Sequence, residues 1–188
     1  FFAELIVPLL VKDLGVKVSI TAFADPIKEF CHNVFGLSYE DMNSQEGKMK
    51  PSHLQWKDIY PSIWTDVGFG KQGNEYLTIR ELLQIVGTDV WRNRFYDKIW
   101  AEAPFLKKWD ADIVMITDVR FPNEVKVIKE RNGLLVRVIR PIIKSNDTHI
   151  SETALDGYDW AWDEIVINER VGDLLDYYRN TLRDKICA

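Results

Sequence analysis

Cysteine is scarce in this chain of 188 residues: Cys31 and Cys187 are the only two. Two thiols allow neither a disulfide framework nor a four-ligand zinc site, and they suit a reducing compartment. No apolar run is long enough to span a bilayer, and no segment resembles a signal peptide. Basic excess is missing as well. A net charge of -5 and an isoelectric point near 5.3 exclude a protein that coats nucleic acid with a basic surface. Clustered arginines can still build a local anion pocket inside an acidic protein. His32 and His53 lack metal-ligand spacing and read as structural or surface residues. Internal repeats and low-complexity tracts are also lacking. The expectation is a cytoplasmic chain, bound to neither membrane nor nucleic acid, forming one domain over residues 1–188 with a sizeable core.

Two further absences bear on chemistry. Gly68-Phe69-Gly70-Lys71-Gln72-Gly73 has no G-x-x-x-x-G-K-[ST] spacing and no strand leads into it, so it reads as a flexible turn and not a phosphate loop. The chain also begins Phe1-Phe2-Ala3-Glu4-Leu5, without methionine, in a sequence that already reads as helix. An uncapped helix start leads to the expectation of residues ahead of it.

Strand and helix patterns alternate through much of what is present. Residues 1–14 read as a helix carrying Leu5, Ile6, Leu9, Leu10 and Leu14, which Pro8 can kink. Val16 to Phe23 suits a short parallel strand, and Ala24-Asp25-Pro26 starts a helix with Ile27, Phe30, Val34 and Phe35 on one side. Residues 36–76 lose the pattern and read as an irregular insertion that shapes a substrate site. Thr78 looks like the N-cap of a helix ending near Gly87-Thr88-Asp89. A helical run Val90 to Trp100 comes next, and a short helix follows Pro104. Strand 113–117, helix 122–131 ending at Asn132-Gly133, strand Leu134 to Ile139, a polar segment 142–162, strand Ile165-Val166-Ile167 and helix 171–186 complete the chain. The alternation predicts an α/β fold in which helices cover both faces of a parallel sheet, a three-layer α/β/α arrangement.

Within this pattern, Ile113-Val114-Met115-Ile116-Thr117-Asp118-Val119-Arg120-Phe121-Pro122-Asn123-Glu124 stands out. An apolar strand empties into Asp-x-Arg, and a proline and a glutamate then open a helix. Ligands of open α/β sheets bind outside the carboxyl ends of the strands, which is where Asp118 and Arg120 fall. An acid and a guanidinium two residues apart suit a site for phosphate and a metal ion. The same letters also fit an ordinary helix start beside a surface Asp–Arg pair.

Arginine recurs at element ends. Arg80 opens a helix, and Arg120 and Arg140 follow strands; three guanidiniums at one sheet edge would hold a polyanion, although each also fits a solvated charge. Gly87-Thr88-Asp89 fits a helix C-cap. Trp100 lies near Phe95, Tyr96 and Ile99, which suits packing or stacking on a base. His149-Ile150-Ser151-Glu152 fits a helix start capped by Ser151.

In order along the chain, Ala22-Phe23-Ala24-Asp25-Pro26-Ile27-Lys28, Arg80-Glu81-Leu82-Leu83-Gln84 with Gly87-Thr88-Asp89, Asp118 to Glu124, Arg140-Pro141, His149 to Glu152 and Ile167-Asn168 resemble the bacteriophage-type deoxynucleoside monophosphate kinases of the P-loop kinase group. The resemblance implies a P-loop kinase-like fold in which a deoxynucleoside 5′-monophosphate takes a phosphoryl group from ATP with Mg2+. It implies catalytic roles for Arg80, Asp118 and Arg120. Substrate binding would fall to Asp25, Lys28, Arg80, Gly87, Thr88, Trp100, Arg120 and Glu124, and contact with ATP to Arg140, His149 and Asn168. Residues 141–162 would form a lid. The family's Gly-rich phosphate loop has no counterpart in this sequence, and the expectation is that the complete protein carries it just upstream of Phe1.

Two other readings stay open: a related P-loop kinase for another small phosphate acceptor, and a non-catalytic nucleotide-binding protein without a donor site. The aromatic-rich stretch 56–109 suits either core or the face of a homodimer.

Overall fold

The computed structural model describes residues 2–59, 75–141, 153–155, 157 and 162–187. These fall into two compact units. One comprises Phe1–Ala22 with Lys107–Ala188, and the other Phe23–Leu106. In chain order the helices are α1 (Phe2–Leu14), α2 (Asp25–Phe35), α3 (Tyr39–Asn43), α4 (Gln45–Lys48), α5 (Ile79–Gln84), α6 (Ile99–Leu106), α7 (Pro122–Lys129), α8 (Val171–Tyr177) and α9 (Arg183–Cys187). The strands are β1 (Val18–Thr21), β2 (Pro51–Gln55), β3 (Tyr76–Thr78), β4 (Ile113–Ile116), β5 (Val136–Ile139) and β6 (Glu164–Ile167).

The first unit carries the parallel pairing that the alternating pattern predicts. Val18 pairs with Ile113 and Thr21 with Ile116, so β1 and β4 run in register. Val136 pairs with Glu164 and Ile139 with Ile167, joining β5 to β6 in the same sense. The architecture is mixed α/β with small parallel sheets. Helix α1 continues through Pro8. Its Ile6 and Leu10 are fully buried against Tyr178 and Leu182, each such burial contributing about 1.5–3 kcal/mol. The predicted closing helix is present, but Tyr178–Leu182 within it is wound as π-helix. The Tyr178 hydroxyl there donates to Asp13 Oδ2 at 3.0 Å.

After α7 the chain reverses at Asn132, which has φ 56, and the amide of Gly133 returns to the carbonyl of Ile128 at 2.9 Å. A side chain at Gly133 would meet Ile128 Cγ2 at 2.6 Å, so packing demands glycine there. The helix itself stops at Lys129, two residues short of the expected 131, and the turn that follows takes its left-handed residue from Asn132.

The second unit corrects several expectations. Part of the segment expected to be irregular, 36–59, is ordered. Ser38 and Ser44 cap α3 and α4 by accepting the amides of Asp41 (3.1 Å) and Gly47 (3.0 Å). Strands β2 and β3 pair antiparallel with a bulge, an element the alternation did not show. Val34 is 56% exposed, whereas Cys31 on the same helix is fully buried. Helical geometry explains this: Ile27, Cys31 and Phe35 recur every four residues with Phe30 beside them, and those are the residues packed into the core. Burial also pushes the Cys31 thiol up to about 12, which leaves it inert. Pro104 lies inside α6 instead of ahead of a helix. Trp100, Ala101 and Pro104 share one buried face, and packing overrides the proline's preference.

The turn Gly68 to Gly73 lies outside the described residues, as does most of the lid-like segment 141–162, including His149 to Glu152. No helix among the described residues is long and apolar enough to cross a membrane.

Candidate active site

The site residues named from sequence divide between the two units. In the first, the carboxyl end of β4 opens into a cleft of about 770 Å³ lined by Glu4, Met115, Asp118, Arg120, Arg137 and Trp162, among others. Strand β4 ends at Ile116, and Phe121, in extended conformation, leads into Pro122, which starts α7. Proline suits that first helical position because its φ is preset and its missing N–H would have no helical partner. Asp118 is half-buried and Arg120 exposed.

Glu124 anchors the turn between them and the helix. Its Oε2 accepts the backbone N–H of Arg120 at 2.7 Å and that of Phe121 at 3.0 Å. The residue is only 1% exposed. A carboxylate at this end of a helix is also favoured by the helix dipole. The resemblance expects Glu124 to contact substrate; the structure shows a buried carboxylate engaged by the adjoining backbone.

Arg140 is exposed just past β5. Asn168 is 5% exposed after β6, its amide on the carbonyl of Ile139 at 2.7 Å. His149 lies outside the described residues. Arg137, unremarked in the sequence reading, lines the cleft with its guanidinium 5.7 Å from the centre of the Trp162 ring. A guanidinium carbon at that distance above an indole is a cation–π contact. Its signal was an arginine between Val136 and Val138 in a strand otherwise read as apolar.

In the second unit, Thr78 and Glu81 form the capping box that begins α5. The Thr78 hydroxyl accepts the Glu81 amide at 3.2 Å, and Glu81 Oε2 accepts the Thr78 amide at 2.8 Å. This places Arg80 in the first turn, where its Nη2 donates to Gln45 Oε1 at 2.7 Å. Lys28, near the start of α2, donates to Asn43 Oδ1 at 2.8 Å. Asp25 is exposed in the first turn of that helix. Gln45 and Asn43 lie in the stretch read as irregular, so nothing in the sequence marked them as partners of these cations.

Gly87-Thr88-Asp89 does not cap a helix. It sits inside a π-helical stretch, Ile85–Arg92, that continues α5 without a break. Gly87 lacks the positive φ of a left-handed cap, and close approach explains the glycine instead: a Cβ there would lie 3.0 Å from Ile27 Cδ1. The carbonyl of the same residue accepts the Trp100 indole N–H at 2.8 Å. Trp100 is 6% exposed, packed edge-to-face on Trp91 at 6.1 Å. Wide π turns displace carbonyls from the helical ladder and recur at functional sites. Thr88, Asp89 and Arg92 are buried in this one.

Among the described residues, no group of three or more histidine, cysteine or acidic side chains is gathered to hold a metal ion. Asp118 still offers hard carboxylate oxygens beside the cationic residues of the cleft. That donor set fits magnesium, which binds through one or two carboxylates, water and substrate phosphates in preference to an all-protein cage.

Comparison with known proteins agrees with these motifs. Residues 28–179 match the family model for deoxynucleotide monophosphate kinase. A protein of Acanthamoeba polyphaga mimivirus that bears this family's name is 35% identical over 167 residues, covering 79% of this chain and 74% of that protein. The deoxynucleotide monophosphate kinase of Enterobacteria phage T4 is 30% identical over 112 residues, 56% of this chain and 46% of the phage protein. The deoxynucleoside-5′-monophosphate kinase of Escherichia phage T5 is 38% identical over 71 residues, 34% and 28% of the two chains. The matched family model spans both units and every candidate site residue except Asp25, and on that basis this chain belongs to the deoxynucleotide monophosphate kinase family of enzymes.

Proposed function

We propose that the protein transfers the γ-phosphoryl group of ATP to a deoxynucleoside 5′-monophosphate, giving the diphosphate, with magnesium. The observation that carries the reading is the pairing of Asp118 and Arg120 at the mouth of a cleft beyond a parallel strand, in a chain of this family. Phosphoryl transfer asks little covalent chemistry of a protein; positioning and neutralisation of charge supply most of the rate.

In this reading Arg120 binds the transferring phosphoryl group and offsets charge that builds during in-line displacement. Asp118 orients the acceptor and would hold the magnesium ion through water; the ion, when bound, screens the phosphate oxygens. Arg80, with Asp25, Lys28, Gly87, Thr88 and Trp100, recognises the monophosphate. Arg140, His149 and Asn168 serve ATP, and residues 141–162 close as a lid that excludes water. The three-layer P-loop kinase arrangement belongs to the same proposal.

The test is a coupled ADP-release assay with ATP and magnesium against the four common deoxynucleoside monophosphates. Turnover with at least one of them, and none with unphosphorylated nucleosides, supports the reading. Binding of monophosphates without any response to ATP would favour a protein that has lost its donor site.

A further inference from the structure

We infer that Asn43 and Gln45 are positioning residues that hold Lys28 and Arg80 side by side for the phosphate of the acceptor nucleotide. The inference rests on the proposal that those two cations recognise the monophosphate.

Each cation comes from a different helix, and one short elbow of chain meets both. Lys28 Nζ, near the start of α2, donates to Asn43 Oδ1 at 2.8 Å. Arg80 Nη2, in the first turn of α5, donates to Gln45 Oε1 at 2.7 Å. Only Ser44 separates the two acceptors, a span of at most about 7 Å of chain.

The elbow is itself fixed. The Ser44 amide donates to the Glu40 carbonyl at 3.1 Å, ending α3, and its hydroxyl accepts the Gly47 amide at 3.0 Å, beginning α4. A Cβ at Gly47 would lie 2.4 Å from Asp41 Cα, so the two short helices fold too closely for a side chain there. Met42, fully buried, ties α3 to the core. Asn43 and Gln45, by contrast, are exposed, so burial is not what they contribute.

The chemistry of the acceptors explains their use. An amide oxygen accepts an N–H and so directs a flexible cation, but being neutral it leaves the charge in place. A phosphate monoester carries about two negative charges near neutrality, and an ammonium and a guanidinium presented together match it. A carboxylate at position 43 or 45 would compete with that phosphate for the same donors and repel it.

Substitutions in the full chain test this, with KM for monophosphate and for ATP measured on the best monophosphate of the panel. Gln45→Glu and Asn43→Asp should each raise KM for the monophosphate about tenfold, leave KM for ATP unchanged, and cause no fall in melting temperature. Gln45→Ala should raise KM for the monophosphate about two- to tenfold, the worth of one orienting hydrogen bond. In the Arg80→Ala background the same change should cost nothing more.

Unchanged monophosphate KM in both acidic variants would overturn the inference. So would a rise in KM that accompanies a lower melting temperature, which would make the elbow a purely structural one. Losses for Gln45→Ala that add to those of Arg80→Ala would mean direct contact with substrate and overturn it as well. Near-normal monophosphate KM for both Arg80→Ala and Lys28→Ala would instead remove the phosphate reading beneath it.

Discussion

The indole N–H of Trp100 donates to the carbonyl of Gly87 at 2.8 Å, tying α6 to the π-helical turn that carries Thr88. Ile27 lies against the same glycine, where a Cβ would come within 3.0 Å of its Cδ1. One peptide is therefore held by a hydrogen bond to one side chain and close packing against another.

Trp100→Phe removes the donor while keeping an aromatic ring. The buried carbonyl of Gly87 then loses its partner, at a cost of about 1–3 kcal/mol. Urea denaturation should show a lower midpoint with an unchanged slope. If the turn also presents Thr88 to the monophosphate, KM for that substrate rises while KM for ATP stays put. An unaltered midpoint would mean that water replaces the indole without loss.

Thr78→Ala removes half of the capping box that begins α5. The expected loss is about 1 kcal/mol, or about 2–4 °C in melting temperature for a chain of this size. Thr78→Ser keeps the hydroxyl and should recover most of it. Calorimetry on the three proteins checks the order; equal melting temperatures would show that Glu81 alone suffices.

Asp163 predicts a pH dependence. Burial by itself would raise its carboxyl, but the Lys129 ammonium and the Leu135 amide, the latter at 2.7 Å, outweigh burial and hold it below the usual carboxylate range. A depressed folded value means that the stabilisation is complete above the unfolded value of about 3.9 and is lost as pH falls through the lower, folded one. The stability gap between wild type and Asp163→Asn should thus be constant near neutrality and shrink below about pH 4. Denaturation midpoints from pH 7 down to pH 2 measure it, and a gap that does not narrow would refute the assignment.

The elements most legible in the sequence are those whose signals are local. Thr78 and Glu81 three residues on predict the helix start that is observed, because a capping box needs no distant partner. The apolar run Ile113–Ile116 predicts a parallel strand, and the strand is present, with Asp118 and Arg120 lining a cleft beyond it. Asn132-Gly133 likewise announces the turn after α7, where Asn132 takes the left-handed conformation and Gly133 packs on Ile128 of the same helix.

Misreadings arise where a local signal competes with burial. Gly87 looks like a helix end because glycine tolerates a left-handed turn, yet its reason for being there is Ile27, sixty residues earlier. Pro104 suggests a helix boundary, but the face it shares with Trp100 and Ala101 decides otherwise. The pairing of β2 with β3 joins Gln55 to Tyr76 across a long stretch of chain, with no alternation to reveal it.

Residue types and short-range spacing alone determined that this chain alternates strands and helices and that it carries acid and guanidinium beyond a strand. Those properties depend on neighbours within a few positions, so they can be read along a line. Which atoms each polar group engages was decided only in three dimensions: Glu124 turned back onto the Arg120 amide, Arg80 met Gln45, and the Trp100 indole reached Gly87. Hydrogen bonds act over about 3 Å, and the distances they select exist only after the chain has folded.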